Sequence, residues 1–147
     1  MNHSKKDPVG VYRFKVEIDG LQVGGFSEVQ GLEMELETEE IKEGGLNNLV
    51  HKLPKKIKFS NLIFKKGVTS NSELINWFNN CITGTVNRKN GSVTLNDSEG
   101  NPVISWIFLG AYPVKCSWSS LNAKGSQEVA IETVEFIHSG LRIRQKS

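Results

Sequence analysis

The 147-residue chain sets 18 Lys and Arg against 16 Asp and Glu, a net charge of +2 at pH 7 with histidine neutral. That is one domain's length, enough to bury roughly 70% of the unfolded chain's surface, and 37% apolar with 23% charged residues excludes disordered and collagen-like classes. The charges are interleaved rather than clustered, which argues against a sequence-specific nucleic-acid binder, and no run reaches the about 18 apolar residues of a membrane span. Cys81 and Cys116 can form neither a disulfide framework nor a zinc site by themselves, and read as reduced, packed thiols.

In chain order, Met1 to Pro8 has Lys5 and Lys6 but no apolar run behind them, so it reads as a flexible arm and not a secretory leader. Tyr12, Phe14, Val16 and Ile18 alternate with Arg13, Lys15, Glu17 and Asp19, the period of a half-buried strand. Leu21 to Phe26 reads as a short extended piece, with Gly24 and Gly25 marking a bulge or a close backbone approach. After Gly31, Leu32, Met34, Leu36 and Thr38 alternate with Glu33, Glu35, Glu37 and Glu39. Four carboxylates on one strand face repel each other, so that face must meet water or positive charge.

From Glu40 to Lys56 the periodicity lapses, and the segment reads as a long loop. Its Leu46, Leu49, Val50 and Leu53 are too apolar for a solvated linker, so it docks either on its own domain or on a neighbour. Ile57 to Phe64 resumes a strand pattern between lysine pairs that would guard an edge. One helix follows: Ser70 and Glu73 match a capping box, Leu74, Trp77, Phe78, Cys81 and Ile82 form one apolar stripe that anchors it to a core, and Gly84 ends it.

The rest is β. Val86 to Asn96 contains Asn90-Gly91, either a tight turn or a kink within one strand. Asp97 to Pro102 is a turn, Val103 to Tyr112 a strand apolar on both faces, and Pro113 an interruption. A serine-rich extended piece from Val114 to Leu121 and a last strand from Glu128 to His138 precede a flexible tail over 142–147. The expected fold is mainly β: two packed antiparallel sheets, sandwich- or barrel-like, with one flanking helix in a single domain.

The sequence offers little chemistry. His3, His51 and His138 lack metal-ligand spacing, Gly44-Gly45 lacks the Lys-Ser or Lys-Thr of a phosphate loop, and no nucleophile elbow appears. The expectation is no catalytic, metal or cofactor site. Two other classes stay open: a monomeric carbohydrate-binding β-sandwich, for which Trp106 and Trp118 are the candidate aromatics, and a hydrolase with a scattered site. The last strand is apolar in both registers, more than so small a domain can cover, which points to oligomerisation.

Asp7-Pro8, Val11 to Gly20, Gly25 to Leu32, Glu43-Gly44-Gly45, Lys58 to Leu62 with Lys66-Gly67, Gly100 to Val103 and Glu128 to Glu135 together resemble contractile-tail tube proteins. The resemblance runs from about Asp7 to Leu141. That family includes tubes of contractile phages, R-type bacteriocins and extracellular contractile injection systems, and is related in fold to the haemolysin-coregulated tube protein of type VI secretion. The resemblance implies hexameric rings whose sheets join between subunits into an inner barrel and stack into a hollow tube. Its partners would be other copies, a sheath, baseplate or tip and terminator proteins, and lumen cargo or a tape-measure protein. Assembly would take place in the bacterial cytoplasm. It implies that the loop over 40–56, with Glu43, Gly44, Gly45, Leu46, Leu49, Val50 and Leu53, reaches neighbouring subunits. The polar faces, Arg13, Lys15, Glu17 and Asp19 on one strand and Glu33, Glu35, Glu37 and Glu39 on the other, are candidates for the lumen or for the wall facing the sheath.

Overall fold

The structure, a computed structural model, describes residues 13–42, 50–70, 72–123 and 129–146. The expected N-terminal arm lies outside them, as does the tip of the expected loop, with Glu43, Gly44, Gly45, Leu46 and Leu49. In chain order the elements are β1 (Arg13–Ile18), β2 (Glu28–Gln30), β3 (Met34–Lys42), β4 (Val50–Phe59), β5 (Leu62–Gly67), α1 (Glu73–Ile82), β6 (Lys89–Asn96), β7 (Pro102–Trp118), β8 (Ile131–Ile137) and β9 (Gly140–Gln145). All strand pairs are antiparallel. The main sheet runs β1-β6-β7-β8-β5-β2, with β9 also on β7, and β3 and β4 form a separate hairpin.

β7 organises this sheet. Its first half pairs with β6 and β9, and its second half pairs with β8. The register passes from Leu109↔Gly140 to Tyr112↔Ile137 without slipping, so β8 and β9 act as one interrupted strand along the whole of β7. The two halves, β1-β6-β7-β9 and β7-β8-β5-β2, are the two packed layers expected from the sequence.

Pro113 was expected to end a strand, yet β7 runs through it. A register shift between Pro113 and Lys115 marks a bulge, one of the places where a strand tolerates proline. A second irregularity, between Lys89 and Gly91 on β6, lies opposite Gly110, whose N–H donates to Asn90 Oδ1 at 2.9 Å. Of the two readings of Asn90-Gly91, the kink within one strand is the observed one. Gly91 is required there, since a Cβ would fall 2.3 Å from the Phe108 ring and 2.5 Å from the Glu17 carbonyl oxygen.

The core lies between the halves. Val16, Ile18, Val93, Phe108 and Leu141 come from one; Leu62, Phe64, Ala111, Val134 and Phe136 come from the other; Leu74 and Trp77 come from the helix. Phe64 is its centre, with ring centroids 5.3 Å from Phe26, 6.0 Å from Phe108 and 5.1 Å from Phe136.

The helix differs from expectation in two details. Its N-cap is Ser72, not Ser70: the Ser72 hydroxyl accepts from the Ile75 N–H at 3.3 Å, while Glu73 accepts from the Gln22 N–H. Leu74 and Trp77 are buried and Phe78 and Cys81 half-buried, but Ile82, placed on the core stripe by its spacing, is 65% exposed because it follows the last turn in contact with the sheet. Gly84 closes the helix at φ +102°, where its N–H donates to the Cys81 carbonyl.

Four further expectations are corrected. Leu21 to Phe26 contains only an isolated bridge at Leu21, the strand following it at β2, because Gly24 turns the chain at φ +69°. The run Ile57 to Phe64 is broken at Ser60-Asn61, where the chain passes from the hairpin into the sheet. The tail over 142–147 is in fact the β9 strand as far as Gln145, held by its ladder to β7. Residues 40–42 and 50–56 are hairpin strands, not irregular loop.

Replacing Phe64 with Ala is expected to cost about 3–5 kcal/mol, since the core cannot close over a deleted ring touching three others. Denaturant unfolding of the unassembled chain measures it.

Candidate functional site

Among the described residues no group of three or more His, Cys, Asp or Glu side chains comes together as a metal site would need. His138 places Nε2 2.8 Å from the Ser60 carbonyl oxygen and Nδ1 3.0 Å from that of Gly140, joining two chain corners. Three kinds of surface stand out among the described residues: a hairpin, two sheet faces and strand edges without a partner strand.

The hairpin has two unlike sides. Its register sets Glu35 opposite Lys58 and Glu37 opposite Lys56, and Glu37 is 2.6 Å from Lys58 Nζ and 3.9 Å from Lys56 Nζ. The middle of the acidic row foreseen on β3, Glu35 and Glu37, thus meets positive charge from its own partner strand. The hydrogen bond from Lys58 holds the Glu37 carboxyl below its ordinary range, and the same bond holds the Lys58 ammonium above its own. On the other side Leu36 and Ile57 stand opposite each other at 55% and 52% exposure, beyond the core-packed pair Met34 and Phe59. This apolar pair extends the side of the hairpin that begins in the core out into solvent. Val50 and Leu53 lie on β4, and Glu33 and Glu39 are exposed at either end of the acidic row.

The outward face of β2-β5-β8-β7 sets Ile63, Ile131 and Ile137 among charge-balanced polar side chains. Glu28 is 3.5 Å from Lys65, Glu135 accepts from Asn61 Nδ2 at 2.9 Å, and Lys65, Lys115, Ser117, Thr133 and Glu135 line one shallow cleft across it. This sheet half has edges at β2 and at residues 112–118 of β7, where β6 has already ended at Ala111. On the other half Arg13, Lys15 and Glu17 point outward, since Val16 and Ile18 fill the core, and Asp19 is exposed in the turn after them.

Among the described residues two charged side chains lie inside: Lys66, expected to guard a strand edge, is buried because β5 lies between β8 and β2, and Glu132 was given no role by its sequence. Lys66 and Glu132 face each other in register on β5 and β8. Lys66 donates to the Val23 carbonyl at 3.2 Å and lies over the Phe26 ring. Glu132, only 2% exposed, accepts from the Ser72 hydroxyl at 3.3 Å and the Trp118 indole at 3.4 Å, so one carboxylate ties the helix cap to the end of β7. The signal was present as a charged residue in the core parity of each strand. Nearby, burial and then the charge of Glu132 push the Cys116 thiol up to about 11. Of the two candidate aromatics, Trp106 packs on the core and Trp118 is half exposed beside Glu132.

Among the described residues these features are those of a mainly β protein with strand edges left without a partner strand and a two-faced hairpin. The family described as T4-like virus tail tube protein gp19 matches residues 11–142, and the chain belongs to that family; its role is that of a structural tube protein. A search among curated protein sequences returns no match. Among solved structures the chain is similar to a protein of the extracellular contractile injection system PVC in its sheath-tube complex, at 24% identity and TM-score 0.81 over 97% of this chain and 95% of that one. It is similar to one in the anti-feeding prophage tube-terminating cap, at 24% identity and TM-score 0.83 over 99% and 97%. It is also similar to Hcp1 from Flavobacterium johnsoniae, at 17% identity and TM-score 0.60 over 90% and 95%. At these identities the likeness is one of fold.

The Glu37 bond gives the hairpin a pH window. A carboxyl held low adds stability above its unfolded pKa of about 4.3, lost as pH falls through the lower folded value; an ammonium held high adds stability below about 10.4, lost as pH rises through the higher folded value. Amide protection factors in β3 and β4, with the pH dependence of intrinsic exchange divided out, are expected to fall on acidification, more at low salt than at high, and Glu37→Gln to remove the acid step.

Proposed function

We propose that this chain is the inner-tube subunit of a contractile tail or injection particle, forming hexameric rings that stack into a hollow tube within a sheath. The observation that carries the reading is the sheet half β2-β5-β8-β7, open at both edges among the described residues, with charge-balanced polar side chains on its outward face. Unpaired edges at opposite ends of one half-sheet let identical subunits add their strands around a closed ring, which removes the edge liability of each. The outward face, with Glu28 and Glu135 balanced by Lys65 and Lys115, then lines the lumen. The hairpin reaches a neighbouring copy through Leu36 and Ile57.

The relatives support a choice of partners. Similar chains occur in structures titled as a sheath-tube complex, a tube-terminating cap and a baseplate. A sheath, a baseplate and a terminator are accordingly the partners of this tube, with protein or nucleic-acid cargo inside it. Assembly takes place in the cytoplasm of the producing cell, and the role is mechanical rather than enzymatic.

Electron microscopy of the purified chain or its parent particle tests the tube directly, and monomers at high concentration with no tube in the particle would overturn it. Ile57→Glu is expected to leave the monomer folded by circular dichroism while shortening or abolishing tubes; tubes of unchanged length would remove the hairpin from the stacking contact. For the lumen, a cysteine at Ser117 in a background lacking Cys81 and Cys116 is expected to react in assembled tubes with a small maleimide and to resist a long polyethylene glycol maleimide. Equal reaction with both would place that face outside.

A further inference from the structure

Among the described residues β3 and β4 share no ladder with the main sheet, so the direction in which the hairpin leaves that sheet is set at the two crossings of its base. At one crossing Gly31, at φ +89°, lies so close to the other that a Cβ would run into the Asn61 carbonyl. At the second crossing Ser60 lies outside every described ladder, and its carbonyl takes a hydrogen bond from the His138 ring. His138 follows the last residue of β8, is half-buried, and sets its ring against that of Phe59, with centroids 5.5 Å apart. Its second nitrogen, Nδ1, faces the carbonyl of Gly140, the first residue of β9, at 3.0 Å. A carbonyl oxygen only accepts, so both ring nitrogens must donate if both contacts are to be hydrogen bonds. The imidazolium has the two N–H groups this needs. The neutral ring has one, and turns a lone pair toward the other carbonyl.

We infer that His138 is a proton-operated clamp on the hinge of the hairpin: the imidazolium holds the Ser60 and Gly140 corners together, and loss of its proton frees the hairpin to change direction. Histidine is the side chain that ordinarily changes charge between about pH 5 and pH 8, and a half-buried ring exchanges its proton without the chain unfolding. The charged and titratable residues on the elements that meet here are Lys58 on β4, Glu33 and Glu35 on the other leg of the hairpin, Glu135 on β8, Arg142 on β9 and Tyr112 on β7. Glu35 stands opposite Lys58, Lys58 is bonded to Glu37, Glu135 accepts from Asn61, and Arg88 lies over the Tyr112 ring. On β5, Lys65 is paired with Glu28 and Lys66 donates to the Val23 carbonyl. Among the described residues no carboxylate comes within 4.0 Å of the His138 ring, so the two carbonyl dipoles and the face of Phe59, and not an ion pair, favour its charged form. The second hydrogen bond is therefore present in mild acid and lost as pH rises through neutrality, opposite in sense to the loss of the Glu37 bond in stronger acid. Where the hairpin carries Leu36 and Ile57 to a neighbouring copy, a fixed hinge presents that pair at one angle, so assembly is favoured in mild acid. This last consequence rests on the tube reading; the clamp does not.

Spin labels on cysteines placed at the exposed Thr38 of the hairpin and Asn79 of the helix, in the unassembled chain lacking Cys81 and Cys116, read the hinge as a distance between them. The chain has 3 histidines, so His3→Gln with His51→Gln leaves His138 alone to titrate as histidine. The fraction of chains away from the resting distance is expected to rise about fivefold from about pH 5.5 to about pH 7.5, the worth of one hydrogen bond. His138→Gln, which keeps one donor, is expected to hold that fraction near its higher value at both pH values, with helix content unchanged by circular dichroism. A distance distribution indifferent to pH in the one-histidine chain would overturn the clamp whether or not the glutamine variant folds, and so would a pH response that survives His138→Gln. Tubes are expected to form more readily in mild acid from the wild-type chain and equally at both pH values from His138→Gln. A tube yield indifferent to pH beside a responsive hinge would overturn the link to assembly. A chain that forms no tube at either pH would strike at the tube reading, with the spin labels still deciding the clamp.

Discussion

Strand β7 belongs to both halves of the molecule, and the rest of the structure depends on how it changes direction. Its continuous pairing with β8 and β9 makes a single bent ribbon, to which β6 and β1 attach at one end and β5 and β2 at the other. Side chains of a strand alternate between faces, so a strand serving two layers must shift its alternation where it crosses between them. The two irregularities, opposite Gly110 and at Pro113, make those shifts. Phe108 enters the core before the first, Ala111 and Pro113 are buried between the two, and Cys116 packs inward after the second.

The same geometry leaves edges unpaired. β6 ends opposite Ala111, so the second half of β7 has a neighbour on one side, and β2 closes the other end of that half-sheet with three residues. A monomer with such edges is normally at risk of unwanted strand addition. In the proposed tube these edges are the means of assembly, and the burial of Lys66 and Glu132 bears on how well they are held. Glu132 links the helix cap, β8 and Trp118 at the end of the free edge, so the position of that edge is tied to the helix by hydrogen bonds as well as by packing. Charged groups in a core lower stability relative to apolar ones, and a fixed edge geometry is what they supply in return.

Electrostatics divides the surface into three regions. The hairpin neutralises its acidic strand with lysines across the register, the face of β2-β5-β8-β7 balances two acids with two lysines, and the face of β1-β6-β7-β9 is basic. The near-zero net charge is the sum of these regions and describes none of them. The candidate lumen and sheath-facing residues also part company here. Arg13, Lys15 and Glu17 belong to the basic sheet face and Asp19 to the turn beside it, while Glu35 and Glu37 belong to the paired side of the hairpin.

Local pattern was enough for the period-two strands at Arg13–Ile18 and in β3, the single helix with its Leu74 and Trp77 anchors, the turn at Asp97 to Pro102 and the order of segments that carries the family resemblance. Each depends on neighbours a few residues apart. What local pattern could not give depended on partners distant in the chain. Ser72 rather than Ser70 caps the helix where it also reaches Glu132, and Arg142 to Gln145 form a strand because β7 offers an edge. Residues 50–56 are extended because β3 lies alongside them, and Pro113 sits inside a strand because a bulge accommodates it. The sequence by itself determined the class of fold and the composition of each face. Only the tertiary structure decided which faces look outward together, because register across strands, and not spacing along them, sets which charges become neighbours.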